Sequence, residues 1–299
     1  MKRQTKYFDE TQRTAGDTRT LFSRWLIGLA LASGLILSAT ATAETMTMGG
    51  TGSALGTMRL LAESYKKHDP SFSLTIVPSL GSSGGTKALV GGAIDLAVIS
   101  RPLKSEETAQ GLVAIEYGRT PFVLVTNRKD VSSMTLQETA DIVGGKVTRW
   151  PDGSPIRLVL RPTADYDTGL LGNFSPEMKR ALNTAHSREG MVIAVTDQDS
   201  ADAVERLPGA FGTSSLALIL SEHRKLYVVP VNGVQPSPST LADNSYPYMK
   251  VMCLVTKGPP SATAQRFIDY VGSTEGRALL AQTGHWVSNG DGTAKHAAR

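Results

Sequence analysis

Small hydroxyl residues, glycines and arginines gather at a few points along this chain. The first cluster is Thr51-Gly52-Ser53, and the second is Ser82-Ser83-Gly84-Gly85-Thr86. Ser100-Arg101 and Arg161 follow, each at the end of an apolar run. Hydroxyls and glycines at helix starts supply O–H and N–H donors, and the helix dipole adds partial positive charge. Two guanidinium groups add full charge and a planar donor fork. A small tetrahedral oxyanion needs that set when it loses its water. Each piece alone has a plainer reading: a Gly/Ser turn before a helix is an ordinary N-cap, and a lone arginine is a surface ion pair. Their conjunction in one chain argues for a binding site. Asp165, Asp167 and Thr168 come just after Arg161. The two carboxylates are either ligand contacts or caps of a following helix.

These residues sit where strands hand over to helices. Thr45 to Met48 reads as a strand, followed by a glycine turn and a helix over 55–67 whose Leu55, Met58, Leu61, Ala62 and Tyr65 share one face. Ser73 to Pro78 and Ile94 to Ile99 repeat the strand pattern, with a small-residue turn and short helix between them. Alternation of this kind predicts an α/β sheet covered by helices, with ligands at the carboxyl ends of strands. A strand is expected over 122–126, with the crossing into a second lobe just after it. A helix is expected over 136–143, and a strand over 156–160. The next helix runs over 174–183, with Ser175 as N-cap and Pro176 at its first position. Further helices are expected over 199–206, 261–271 and 274–283. A turn at 209–212 leads into 214–220, and Val228 to Val231 reads as a strand. A Pro/Ser-rich loop spans 234–248, and a returning strand spans 249–256. The tail after Val287 reads as disordered.

Bulk properties narrow the function. Of 299 residues, 40% are hydrophobic and 19% charged, which is globular composition. Basic residues between Lys2 and Arg24 precede an apolar run from Trp25 to Leu37 and an Ala41-Thr42-Ala43 end. That is the pattern of a secretory signal peptide over 1–43, with an uncleaved anchor as the alternative. This leader holds six of the 31 Lys/Arg and three of the 27 Asp/Glu, leaving 25 and 24. The remainder is near neutral, so no basic stripe for nucleic acid is expected. Cys253 is the only cysteine and lies in an apolar strand, where a buried thiol is expected. No Gly-x-Ser-x-Gly elbow and no Gly-x-x-x-x-Gly-Lys-Ser/Thr loop occur. His68, His186, His223, His285 and His296 show no metal-ligand spacing. No catalytic residue, metal or cofactor is therefore expected.

Several motifs taken in order resemble the phosphate ABC transporter substrate-binding proteins. They are Gly50-Thr51-Gly52-Ser53, Gly81-Ser82-Ser83-Gly84-Gly85-Thr86 and the run from Gly92 to Leu103. Leu207-Pro208-Gly209-Ala210-Phe211-Gly212, Tyr246-Pro247-Tyr248 and the run from Phe267 to Gly276 complete the set. The resemblance extends from about Met46 to Val287. It implies a two-lobed type II periplasmic binding fold with a hinge and an interlobe cleft. Lobe one would comprise 44–125 and 249–299, and lobe two 126–248. It also implies that Thr51, Gly52, Ser53, Ser82, Ser83, Ser100 and Arg101 meet the anion from lobe one. Arg161 and Thr168 would meet it from lobe two. Relatives usually follow that second arginine with an Asp/Glu-Gly-Ser-Gly-Thr turn, and here Asp165 and Asp167 stand where hydroxyl and glycine donors belong. The implied function is capture of phosphate or a related small oxyanion in the periplasm, by a monomer, for an ABC permease and ATPase. The aspartates also admit a different ligand: another oxyanion, a phosphorylated organic or an amphoteric solute. A periplasmic phosphoester hydrolase or an adhesin on this fold is the remaining alternative.

Overall fold

The computed structural model describes residues 45–288. The leader and the expected tail disorder beyond Ser288 lie outside the described residues. β1 (Thr45–Gly50) runs parallel to β2 (Ser73–Ile76) on one side and to β3 (Leu96–Ile99) on the other. β3 is buried along its whole length, as a parallel strand covered on both faces must be, and this explains its unbroken apolar run. Helices α1 (Gly52–Tyr65) and α2 (Gly81–Val90) start directly after the first-sheet strands. Gly50 is required where β1 hands over to α1. Its φ is +142°, and a Cβ there would lie 1.9 Å from the Val98 carbonyl oxygen.

The first sheet continues through an antiparallel strand, β9 (Met249–Lys257), which pairs with β3 and with β4 (Leu112–Thr126). β4 has 15 residues and belongs to two sheets. Leu112 to Pro121 pairs with β9, whereas Phe122 to Thr126 pairs with β7 (Ala210–Ser215) and, from Leu124, with β8 (Tyr227–Val229). The passage between sheets therefore falls inside β4, at Thr120–Phe122. Proline at 121 suits a strand at such a switch, because it has no N–H to pair. The Tyr246-Pro247-Tyr248 segment clamps this point. Its Tyr246 hydroxyl donates to the Phe122 carbonyl at 2.7 Å, and the Tyr248 carbonyl accepts from the Phe122 N–H at 3.0 Å. The second sheet is completed by β5 (Arg157–Leu160), parallel to β7, and by β6 (Val192–Ile193), parallel to β5.

Helices cover both sheets. In the first half, α3 (Ser105–Ala109), α10 (Ala262–Gly272) and α11 (Thr274–Gln282) join α1 and α2. Met48, Met58, Leu61, Leu96, Val98 and Phe267 are fully buried there. Removing each such side chain from water contributes about 1.5–3 kcal/mol. In the second half, α4 (Leu136–Gly144), α5 (Tyr166–Gly172) and α6 (Pro176–Ser187) pack one face, and α7 (Asp197–Arg206) and α8 (Leu216–Ser221) pack the other. Ser175 caps α6 through the Met178 N–H, with Pro176 in the first turn, as its sequence predicts.

Three readings of the sequence need correction. Helix α7 starts at Asp197 and not at Asp199, since Thr196 is the cap that accepts from the Asp199 N–H. Residues 210–221 are a strand followed by a helix, with Ser215 capping the switch, and the 234–248 loop contains the short α9 (Pro238–Ala242).

Candidate functional site

The strand ends meet at the start of α1. Thr51 and Ser53 are buried, as is Ser100. The Thr51 and Ser100 hydroxyls lie 3.1 Å apart, and Ser82 Oγ accepts from the Ser100 N–H at 3.1 Å. Thr51, Gly52, Ser53, Ser82 and Ser100 thus form one cluster, contributed by β1, α1, α2 and the end of β3. Thr51 is the N-cap residue of α1 but caps no N–H with its side chain. The first N–H groups of a helix need outside acceptors.

Asp197 is that acceptor. Its Oδ2 accepts from the Ser53 N–H at 3.2 Å and from Thr51 Oγ1 at 3.3 Å, and its Oδ1 accepts from Ser53 Oγ at 2.9 Å. Asp197 belongs to α7, in the other half of the molecule. The approach is close enough to require a glycine at position 52. A Cβ there would lie 2.9 Å from the Asp197 Cβ and 2.1 Å from Gln198 Oε1. Gln198 Nε2 donates to the Gly52 carbonyl at 3.0 Å, which adds a second bond across the same gap.

Lys250 completes the cluster. It is fully buried, and it pairs in register with Thr120, at the point where β4 leaves the first sheet. From there its ammonium reaches both halves. It donates to Ser53 Oγ at 2.9 Å, to Asp167 Oδ2 at 2.8 Å and to Asp197 Oδ1 at 3.2 Å. Burial alone would lower the Lys250 pKa, but the two carboxylates outweigh it and the net shift is upward. Burial would raise the Asp197 pKa. The charges of Lys250 and then Arg161, with the Ser53 and Lys250 bonds, reverse that and hold it well below the usual carboxylate range. Asp167 keeps less help. Burial pushes its pKa up to about 6, Lys250 opposes the rise, and the nearby negative charges of Asp197 and Asp165 add to it.

The remaining expected residues fall outside this cluster or face other partners. Arg101 is buried and grips Glu107 with both terminal nitrogens, at 2.8 and 2.7 Å, while donating to Ser83 Oγ at 3.1 Å. Burial raises the Glu107 pKa, but the bonds from Arg101, the Lys104 N–H and Thr86 outweigh it and leave it at about 2. Arg161 donates to the Ala194 carbonyl at 2.9 Å and to Asp165 Oδ2 at 3.0 Å, and its Nε has no partner. Asp165 is also the N-cap of α5, accepting from the Asp167 N–H at 2.9 Å. Of the two readings open for these aspartates, Asp165 takes the capping one. Asp167 caps nothing and faces Lys250. The Thr168 hydroxyl donates to the Pro162 carbonyl at 2.8 Å.

Asp197, Lys250 and Glu107 were missed by sequence reasoning. Lys250 did carry a signal, being a lysine inside the otherwise apolar Tyr248 to Val255 strand. Asp197 lies in Thr196-Asp197-Gln198-Asp199, where capping accounts for either carboxylate. Among these groups the formal charges nearly cancel: Lys250, Arg101 and Arg161 face Asp167, Asp197, Asp165 and Glu107. What stands out chemically is a carboxylate clasped by three donors at a helix start.

Comparison with known proteins places the fold and the family. The model of the PBP superfamily domain matches residues 38–275. Over 241 residues the chain is 23% identical to the phosphate-binding protein PstS of Bacillus subtilis (strain 168), covering 77% of this chain and 76% of that protein. Among solved structures, a Clostridium perfringens protein described as a phosphate ABC transporter substrate-binding protein, with bound phosphate, superposes with a TM-score of 0.69. It is 24% identical and covers 82% of this chain and all of that one. The periplasmic molybdate-binding protein of Azotobacter vinelandii superposes at 0.59, with 15% identity and coverage of 82% and 100%. The fold is thus the mixed α/β fold of type II periplasmic phosphate-binding proteins, and distant homologues of the chain are phosphate-binding PstS proteins. With a family model matched across most of its length, this chain belongs to the PBP superfamily, a family of solute-binding proteins and not of catalysts.

Proposed function

We propose that this protein captures phosphate or a closely related small oxyanion between its two halves. One observation carries the reading. The start of α1 already holds an oxyanion, the Asp197 carboxylate, with one backbone N–H and two hydroxyls. A phosphate or molybdate oxygen presents the same charge and acceptor geometry to the same donors. The relatives named above add support, since their own names specify phosphate or molybdate. Binding is by desolvation into fixed donors, with no covalent step. The two halves act as lobes, joined through β4 and β9, and closure between them holds the ligand. The leader at 1–43 directs the chain to the periplasm. An ABC permease and ATPase receive the solute.

A second reading has its own observation. Two buried carboxylates, Asp167 and Asp197, flank the ammonium of Lys250. A solute carrying both an anionic and an ammonium group could satisfy the same carboxylates.

Isothermal titration calorimetry with phosphate, sulfate, molybdate and an aminoalkyl phosphonate separates these. Phosphate is expected to bind, and Ser53→Ala is expected to weaken it at least about tenfold, the loss of one charge-assisted bond. Preference for the aminoalkyl phosphonate would favour the amphoteric reading. An anion whose affinity Ser53→Ala leaves undiminished in an Asp197→Ala background, where the protein's own carboxylate no longer occupies these donors, would remove the site from the start of α1.

A further inference from the structure

We propose that Asp197 is a built-in competitor for the oxyanion, a latch that closes the two halves on the protein's own carboxylate until a ligand displaces it. The inference rests on the oxyanion reading for what displaces the latch, but not for the latch itself.

The geometry behind it is specific. The three donors at the start of α1 come from the first half, and the carboxylate comes from α7 in the second. An anion cannot use Ser53 N–H, Ser53 Oγ and Thr51 Oγ1 while Asp197 holds them. Lys250 reinforces the contact from the crossing strand β9, and Asp167 of α5 shares that lysine. Arg161, at the end of β5, adds its positive charge to the pull on Asp197. Gln198 adds a neutral bond to the Gly52 carbonyl and a second to Glu222. Every group facing Asp197 is therefore a donor or cation, except Asp167. These bonds are made only while the halves are together, and opening would exchange them for bonds from Asp197, Lys250 and the α1 N–H groups to water.

The latch has a consequence for affinity. If a fraction f of the molecules is unlatched, the apparent dissociation constant is the intrinsic one divided by f. A latch that holds nine molecules in ten therefore weakens apparent binding about tenfold. The same device makes binding selective. A ligand must offer more to the donors and to Lys250 than a carboxylate does. A fully ionised tetrahedral oxyanion, with more charge and more acceptor oxygens, can do that. A simple carboxylic acid cannot.

The test uses the full-length chain with Asp197→Ala, and two readouts. Spin labels on Lys87→Cys in α2 and Lys179→Cys in α6 report the distance between halves. Cys253 is buried, with its thiol pushed up to about 12 by burial, and does not compete for label. Calorimetry with phosphate, sulfate and molybdate reports affinity. The latch predicts a longer or broader label distance without ligand in Asp197→Ala, and about tenfold tighter binding of the preferred anion. An unchanged distance overturns it, as does a distance that opens while affinity falls, which would make Asp197 a ligand contact. A distance that opens while no anion binds either chain leaves the latch standing and overturns the oxyanion reading. Asp197→Asn covers the case in which the alanine chain does not fold. It keeps the volume, removes the charge, and is expected to move both readouts in the same direction.

Discussion

Two buried cation–carboxylate clusters sit close in the fold and are built on opposite plans. Arg101 and Glu107 are six residues apart, both in the first half. Glu107 receives both Arg101 nitrogens, the Lys104 N–H and the Thr86 hydroxyl, so its lone pairs are fully used. Lys250 reaches Asp197 and Asp167 across 53 and 83 residues of chain, and both partners come from the other half. The first cluster exists whatever the angle between halves. On the proposed latch, the second exists only when they are closed. In that proposal a local pair shapes the wall of the site, and a long-range one makes the site's state conditional.

The largest effect should come from removing the conditional cation. Lys250→Met keeps an unbranched apolar side chain but removes the ammonium, which lies 5.6 Å from the Phe122 ring centroid, and leaves Asp167 and Asp197 buried without a cation. Breaking a buried pair in this way costs about 3–5 kcal/mol, because the remaining charge is uncompensated. Urea unfolding should show the midpoint fall accordingly. A loss under about 1 kcal/mol would mean that water reaches the cluster and that it carries no energetic link between the halves.

A pH titration separates the members of that cluster. The Asp167 pKa is raised, to about 6, above the ordinary aspartate value of 3.8. Between those values the folded state binds more protons than the unfolded state, so this group's contribution to stability falls as pH rises from about 4 to about 6 and is then flat. A rise of that size is worth at most about 3 kcal/mol. Asp197 runs the other way. Its depressed pKa stabilises the fold above about pH 4, and that contribution is lost only in strong acid. Asp167→Asn should therefore erase a decline in stability between pH 4 and 6 and leave the acid limb intact. A variant whose pH profile parallels the wild type would show that Asp167 is not the group titrating there.

The sequence carried the local half of this site and not the long-range half. Glycine-rich turns, apolar strands and caps such as Ser175 are written in neighbouring residues, so the α/β architecture and the hydroxyl cluster at 51–53, 82 and 100 were legible. Arg101 was legible as a cation, but its partner Glu107 was not, because a glutamate in a polar stretch has many possible roles. Asp197 and Lys250 become functional only through a fold that brings residues 53, 167, 197 and 250 together, and no spacing along the chain encodes that. The change of pairing partners inside β4 is hidden from the sequence for a related reason. The sequence reading places a strand only over 122–126, whereas β4 runs from Leu112 to Thr126 and its pairing partners divide it between two sheets. Asp165 and Asp167 show the same limit at close range. They are two residues apart, yet one caps a helix beside Arg161 and the other is buried against Lys250.

The local cluster gives the smaller and cleaner test. Glu107→Gln retains the shape and one acceptor oxygen but loses the bidentate ionic pairing with Arg101, which should cost about 2 kcal/mol near neutral pH, the range for a hydrogen bond to a charged group. The Glu107 pKa is lowered from 4.5 to about 2, so its contribution is complete above about pH 4.5 and is lost as pH falls through about 2. The gap in stability between wild type and Glu107→Gln should therefore close across that window. The spin-label distance between halves should not move, because neither Arg101 nor Glu107 bonds to the second half. If Glu107→Gln did open the molecule, the wall and the latch would be one coupled network, and the distinction between a local and a conditional cluster would fail.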